Sequence, residues 1–204
     1  MSSEPTVFVV DDDPQGRKSV CALVRSMGIP AESFASAEEF LEAYRGERPG
    51  CLVTDVRMFG MSGLELQEEL KRRNVLLPAV VLTAYARTPI TVRAMKAGAI
   101  TLLEKPYDDD DLWDAIRAAL TADSASRADH QQRREIRDRI ARLTPAERKV
   151  MDMMVQGKAN KAIAHELDIS VRTVENRRRE VFAKLQADSV AQLVRLAIEA
   201  DSNS

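Results

Sequence analysis

The sequence predicts two units of different class. The first is an α/β domain on a doubly wound, five-stranded parallel sheet, and the second is an all-α domain of four helices that includes a helix-turn-helix. Three observations carry this reading. Short apolar runs rich in β-branched residues alternate with amphipathic stretches through the first 120 residues, the remainder shows helical punctuation only, and the charge balance reverses between the two parts. Residues 1–120 hold 14 Lys and Arg against 19 Asp and Glu, whereas residues 121–204 hold 16 against 13. Strands that alternate with helices pair in parallel and are covered on both faces, and 204 residues suffice for two such domains.

The elements follow in order. "TVFVVDDD" reads as a strand buried on both faces whose acidic C-terminal end is exposed. Asp13, placed before Pro14, reads as the cap of a helix with Val20, Leu23, Val24 and Met27 on its apolar face. Further strands are "AESFA" (31–35), the weakest, then "CLVT" (51–54), "AVVLT" (79–83) and "ITLLE" (100–104), with Leu66 and Leu70 marking a helix between the third and fourth. Four acids from Asp108 suit the positive end of a helix dipole, and that helix continues through Leu112, Ile116 and Leu120. The first domain is therefore placed at 1–121. Residues 122–139 are polar, lack Gly and Pro, and read as a linker that is at least partly helical. Ile136, Ile140 and Leu143 lead into a second domain at 140–204. There Thr144, Pro145 and Glu147 start a helix that Gly157 ends, "NKAIAHEL" forms the next, and Ser170 caps one from Val171 to about Leu185. The last helix carries a stripe of Val190, Leu193, Val194, Ala197 and Ile198. A short helix, a brief turn and a longer basic helix make a helix-turn-helix.

Composition excludes several classes. Cys21 and Cys51 have neither metal-ligand nor paired spacing, so both are expected to be reduced and buried. The N-terminus lacks the profile of a signal peptide, and no apolar run reaches membrane-span length, so the expectation is a cytoplasmic protein without a membrane partner. Residues 142–186 hold ten basic and six acidic side chains, which permits contact with a polyanion without requiring it.

In parallel sheets ligands gather at the C-terminal strand ends, where Asp11, Asp12, Asp55, Thr83 and Lys105 fall. A lone Asp at such a place is ordinarily solvated or a helix cap, which is the reading kept for Asp13. Three neighbouring carboxylates repel one another unless a cation joins them, and oxygen ligands with water suit Mg²⁺. Asp55 can then attack phosphorus, Lys105 can pair with a phosphoryl oxygen, and the Thr83 hydroxyl can donate to another. The chain has no nucleotide-binding glycine loop, so it reads as a phosphoryl acceptor supplied from elsewhere and not as an enzyme.

On the basic helix, the 3.6-residue period puts Val174, Val181 and Leu185 on one face and Arg172, Asn176, Arg179 and Ala183 on the other. Arg177 and Arg178 flank that outer face and could grip phosphates. Asn pairs with adenine and Arg with guanine in the major groove. The plainer reading of "RRR" is a solvated face.

Residues 5–120 resemble the receiver domain of two-component response regulators at "VVDDD", "TDVRM", "MSGLEL", "LTA" and "EKP". Residues 140–200 are similar to the LuxR-type helix-turn-helix at "LTPAERKVM", "NKAIAHEL", "SVRTVE" and "KL". The pair together resembles FixJ-like response regulators, which implies a flavodoxin-like receiver sheet and a transcription factor gated by phosphorylation. By this resemblance Asp55 is the phosphorylated residue. Asp12, Asp55 and the Arg57 carbonyl would bind Mg²⁺ directly, with Asp11 acting mostly through water. Lys105 would contact the phosphoryl group ahead of a cis bond to Pro106. Thr83 would be the switch residue, with Ala84 beside it. Leu102 stands where many receivers have the Tyr or Phe that turns inward with the switch, and Phe59 stands where the family ordinarily has Pro. Base contacts would fall to Glu175, Asn176 and Arg179, and backbone contacts to Lys161, Thr173 and, more weakly, Lys184. The implied partners are a sensor histidine kinase, double-stranded DNA, and a second copy joined on phosphorylation through helix 88–97 and strand 100–103. Two rivals remain at this stage. One is an aspartate-phosphate hydrolase, which would want a carboxylate where Arg57 stands. The other is a DNA-binding module indifferent to phosphorylation.

Overall fold

A computed structural model describes residues 4–46 and 48–201, and the chain divides into compact units at Met1–Arg127 and Ala128–Ser204. In the first unit the strands are β1 (Thr6–Val10), β2 (Ala31–Phe34), β3 (Gly50–Asp55), β4 (Ala79–Thr83) and β5 (Ala99–Glu104). They form one sheet in the order β2-β1-β3-β4-β5, parallel throughout. The helices between them are α1 (Pro14–Ser26), α2 (Ala37–Ala43), α3 (Gly63–Arg72) and α4 (Thr88–Ala97), and α5 (Asp109–Ala141) follows β5. The fold class expected from the alternation of runs is the one found.

Strand side chains alternate between faces, so β1 supplies both cores. Val7 and Val9 meet Val20 and Val24 of α1 and Leu112 and Ile116 of α5 on one side. Phe8 and Val10 meet Phe40 of α2 and Leu66 and Leu70 of α3 on the other. Phe8 lies edge-on to Tyr44 at 4.9 Å, and Phe40 stacks on Tyr44 at 5.1 Å, the offset and tilted geometries that ring quadrupoles favour. At the start of β3, Gly50 has φ +153°, and a Cβ there would lie 1.9 Å from the Thr6 carbonyl oxygen, so only glycine lets β3 begin against β1.

Helix α1 ends sooner than the apolar spacing implied. Met27 is its C-cap and 39% exposed, because the chain turns away after Ser26. Asp13 caps the helix as expected, accepting from the Gln15 and Gly16 amides at 3.1 and 3.0 Å. Late in the first unit, Asp123 on α5 is buried, at 2% exposure. It accepts from the Gly50 amide at 2.9 Å and pairs with Arg127 at 2.8 Å, and Arg127 also donates to the Arg48 carbonyl at 2.7 Å. Asp123 and Arg127 lie in the segment read as linker, and they belong to the first compact unit.

In the second unit, the end of α5 joins α6 (Pro145–Val155), α7 (Asn160–Glu166), α8 (Val171–Leu185) and α9 (Val190–Asp201). Ile136, Ile140, Val150, Met154, Ile163, Val174, Val181, Leu185 and Leu193 form one core. The expected stripe of α9 needs correcting. Leu193 is buried and Leu196, Ala197 and Ala200 pack beside it, while Ile198 is 61% exposed, because the apolar phase advances through 193, 196 and 200 and leaves 198 on the outer side. Among the described residues, no helix is long and apolar enough to cross a membrane.

Candidate functional site

The C-terminal rim of the sheet gathers side chains from four strand ends. Asp11 follows β1, Asp55 closes β3 and Thr83 closes β4, all three buried, and Lys105 follows β5. The local chain dictates this, since β1, β3 and β4 are buried along their length and carry Asp11, Asp55 and Thr83 where they leave the core, while the partly buried β5 ends at Glu104, just before Lys105. Lys105 Nζ donates to Asp55 Oδ1 at 2.6 Å and to Asp11 Oδ2 at 3.1 Å, and its amide donates to the Thr83 carbonyl at 2.7 Å. Burial works against the Lys105 charge, but the bond to Asp55 and the nearby Asp11 charge outweigh it and raise the ammonium above its ordinary pKa. The bond from Lys105 to Pro106 is cis.

One oxygen of each of the rim acids accepts from a backbone amide. Asp55 Oδ2 accepts from the Arg57 amide at 2.6 Å, Asp11 Oδ1 from the Asp13 amide at 2.8 Å, and Asp12 Oδ2 from the Phe59 amide at 2.9 Å. Thr83 Oγ1 accepts from the Tyr85 amide at 3.2 Å. The Arg57 guanidinium lies 5.3 Å from the centre of the exposed Tyr85 ring. Ala84 is exposed beside Thr83, and Leu102 is half-buried, packed against the cluster of Val81 and Ala94 beneath α4. Three hard carboxylates and a peptide carbonyl are the donor type that Mg²⁺ takes. Among the described residues no three acidic, His or Cys side chains are already gathered around one point, since Lys105 bridges Asp11 and Asp55 while Asp12 reaches to the Phe59 amide.

Two contributors were not singled out from sequence. Gly63, the first residue of α3, lies so close to the acceptor strand that a Cβ would fall 2.1 Å from the Asp55 carbonyl oxygen. Its signal was the glycine directly after the capping Ser62. Glu38 of α2 accepts from the Met61 amide at 3.0 Å and so holds the loop after Asp55, a contact 23 positions apart in sequence that no local pattern announces.

In the second unit, Ser170 caps α8 by accepting from the Thr173 amide at 3.0 Å, and its hydroxyl lies 2.8 Å from that of Thr173. Val174, Val181 and Leu185 are buried, while Arg172, Glu175, Asn176, Arg179 and Ala183 are exposed, as is Lys161 on α7. Arg177 and Arg178 are half-buried, and the Arg178 guanidinium lies 5.9 Å from the Phe182 ring centre. Among the described residues Arg172, Arg177 and Arg179 form no ion pair, which leaves a basic, solvated strip on α8. Lys184 is engaged internally, donating to both Glu147 oxygens at 2.8 and 2.7 Å.

Comparison with known proteins finds a match for each of the two domains. Residues 7–117 match the response regulator receiver domain, and residues 141–197 match the bacterial regulatory proteins of the luxR family. The chain is 40% identical over 200 residues to the transcriptional regulatory protein FixJ of Bradyrhizobium diazoefficiens, covering 98% of each chain. Among solved structures, the response regulator StyR matches with a TM-score of 0.86 and 43% identity over 97% of this chain and 100% of that one. Full-length FixJ from B. japonicum matches with a TM-score of 0.59 and 39% identity over 99% and 100%.

Proposed function

The chain belongs to the two-component response regulators that join a receiver domain to a LuxR-type DNA-binding domain, and from that premise we propose that Asp55 accepts a phosphoryl group from a sensor histidine kinase and thereby controls DNA binding by α8. The observation that supports this most is the shared ammonium: Lys105 holds Asp55 and Asp11 together at the sheet rim, with the Thr83 hydroxyl at the next strand end.

Asp55 is the nucleophile. One of its oxygens attacks phosphorus, the phosphorus–nitrogen bond of the donor's phosphohistidine breaks as the phosphorus–oxygen bond forms, and the departing imidazole nitrogen takes a proton from water. Lys105 transfers its hydrogen bond from the carboxylate to a phosphoryl oxygen, and the Thr83 hydroxyl gives up its bond with Tyr85 to donate to another. Asp12, Asp55 and the Arg57 carbonyl would hold Mg²⁺, with Asp11 reaching it through water, and the ion would screen the charge of the incoming group. Ala84, beside Thr83, lets the phosphoryl group approach closely. Withdrawal of Thr83 loosens the segment before α4, and the surface of α4 and β5, where Val92 and Met95 are exposed, becomes the contact between two copies, with the half-buried Leu102 in place of an aromatic partner to the switch. Two α8 helices then read two half-sites in the cytoplasm. Glu175, Asn176 and Arg179 face base edges, while Lys161, Arg172, Thr173, Arg177 and Arg178 face phosphates. The Glu147 pairing leaves Lys184 a minor part.

The test combines chemistry and binding. With labelled phosphoramidate and magnesium, the wild-type chain is expected to acquire an acid-stable, alkali-labile mark and to bind its operator more tightly, and Asp55→Asn to show neither change. A mark that persists in Asp55→Asn, or operator affinity that ignores phosphorylation, would overturn the reading.

A further inference from the structure

The loop after Asp55 is fastened more firmly than its sequence implies. The Phe59 amide donates to Asp12 and the Met61 amide to Glu38, at 2.9 and 3.0 Å. Between them Gly60 has φ +78°, and a Cβ there would meet a Glu38 carboxylate oxygen at 2.9 Å. Met58 and Met61 turn inward against the core of Phe8 and Phe40. In the midst of these ties the Phe59 side chain is 88% exposed, more than any other large hydrophobic residue among the described ones. An isolated exposed apolar residue needs no explanation in itself. An aromatic ring held out by a braced backbone, and joined through its own amide to the acid pair's neighbour Asp12, differs from a stray one because little conformational freedom is left to lose on binding.

We propose that Phe59 is the aromatic anchor through which this chain engages, and selects, the protein that carries its phosphohistidine. The inference rests on the reading of Asp55 as phosphoryl acceptor. The occupant follows from position. Asp55 is only 8% exposed, so a histidine on a protein must be brought down onto the rim to reach it. A surface wide enough to do that also covers the loop whose Phe59 amide holds Asp12, and meets the ring that this loop exposes. A small phosphodonor reaches the same carboxylate without touching the ring. Phe59 is thus a specificity residue for the donor and takes no part in the transfer itself.

The experiment measures two rates on the full chain: transfer from a labelled sensor-kinase core chosen because it phosphorylates the wild type, and uptake from phosphoramidate. Phe59→Ala is expected to lower the ratio of the kinase rate to the small-donor rate about tenfold, the loss typical of an aromatic contact residue, and Phe59→Tyr, which keeps the ring, to restore most of it. A ratio unchanged by Phe59→Ala would overturn the proposal. So would an equal fall in both rates, which would place the effect in the acceptor chemistry. Concentration-dependent self-association lost in Phe59→Ala, with the ratio intact, would assign the ring to a second copy instead. A wild-type chain that takes no label from phosphoramidate would refute the acceptor reading, and the anchor with it.

Discussion

Glu147 serves two ends of one unit. Its carboxylate accepts from the Thr144 amide, closing the cap of α6, and receives the Lys184 ammonium from α8. The bond to Lys184, then that to Thr144, hold its pKa below the ordinary value of 4.5. A carboxyl whose folded pKa is depressed stabilises the fold above its unfolded pKa and loses that contribution as pH falls through the folded one. Lys184→Met is therefore expected to weaken amide protection in α6 and α8 at pH 7, and the difference from wild type to shrink as the pH is taken below about 4.5; hydrogen exchange followed by mass spectrometry checks it. A difference that grew in acid would refute the pairing. The cap half of this arrangement was legible, since Thr144 and Glu147 stand three apart before an apolar run. The Lys184 half was not, because its partner lies 37 positions away and only the packing of α6 on α8 brings them together. The rim acids show the same division. Asp11, Asp55, Thr83 and Lys105 could be placed from strand ends, whereas the ammonium shared between Asp11 and Asp55 required the sheet order.

Helix α5 shows what an element hides. Its acidic first turn and the apolar positions 112 and 116 were readable, but Asp123 looks like any polar residue in a polar stretch. Its burial follows from the start of β3, where Gly50 must come so close to Thr6 that its amide needs an acceptor from outside the sheet. Asp123 supplies it, and Arg127 offsets the charge while tying α5 to the Arg48 carbonyl. Removing one member of a buried pair leaves a charge without compensation, at a cost of ~3 kcal/mol. Arg127→Ala is thus expected to lower the stability of the first unit by about that amount, somewhat less because Arg127 is partly solvated. Urea unfolding followed by the fluorescence of Trp113, the single tryptophan, reports on this unit alone. An unchanged midpoint would mean that the Gly50 amide suffices for Asp123. Helix α9 gives the complementary lesson: its apolar composition was plain, but a stripe drawn through Ile198 missed by a fraction of a turn, because so short a helix leaves more than one phase open.

For the whole molecule, the reversal of charge between the two parts separates a phosphate-accepting half from a polyanion-facing one. The basic strip on α8 predicts binding that is mostly electrostatic. Arg177→Ala is expected to weaken binding alike on all sequences and to make the slope of log affinity against log salt less steep by about 0.9, the share of one phosphate contact. Asn176→Ala is expected instead to blur the preferred half-site, by about 1–3 kcal/mol of discrimination; titrations of matched and mismatched duplexes at several salt concentrations separate the two. The order of the domains was legible because the apolar runs change their period, whereas the compact first unit extends to Arg127 by virtue of a contact across 79 residues. Both native thiols, finally, are buried, Cys51 in β3 and Cys21 on the inner face of α1, and desolvation drives Cys51 up to about 12 and Cys21 above its usual value as well. A spectroscopist therefore inherits a scaffold with silent thiols, in which Leu76→Cys, at a position 54% exposed, would offer a lone handle for a dye or spin label that leaves the Phe59 ring in place.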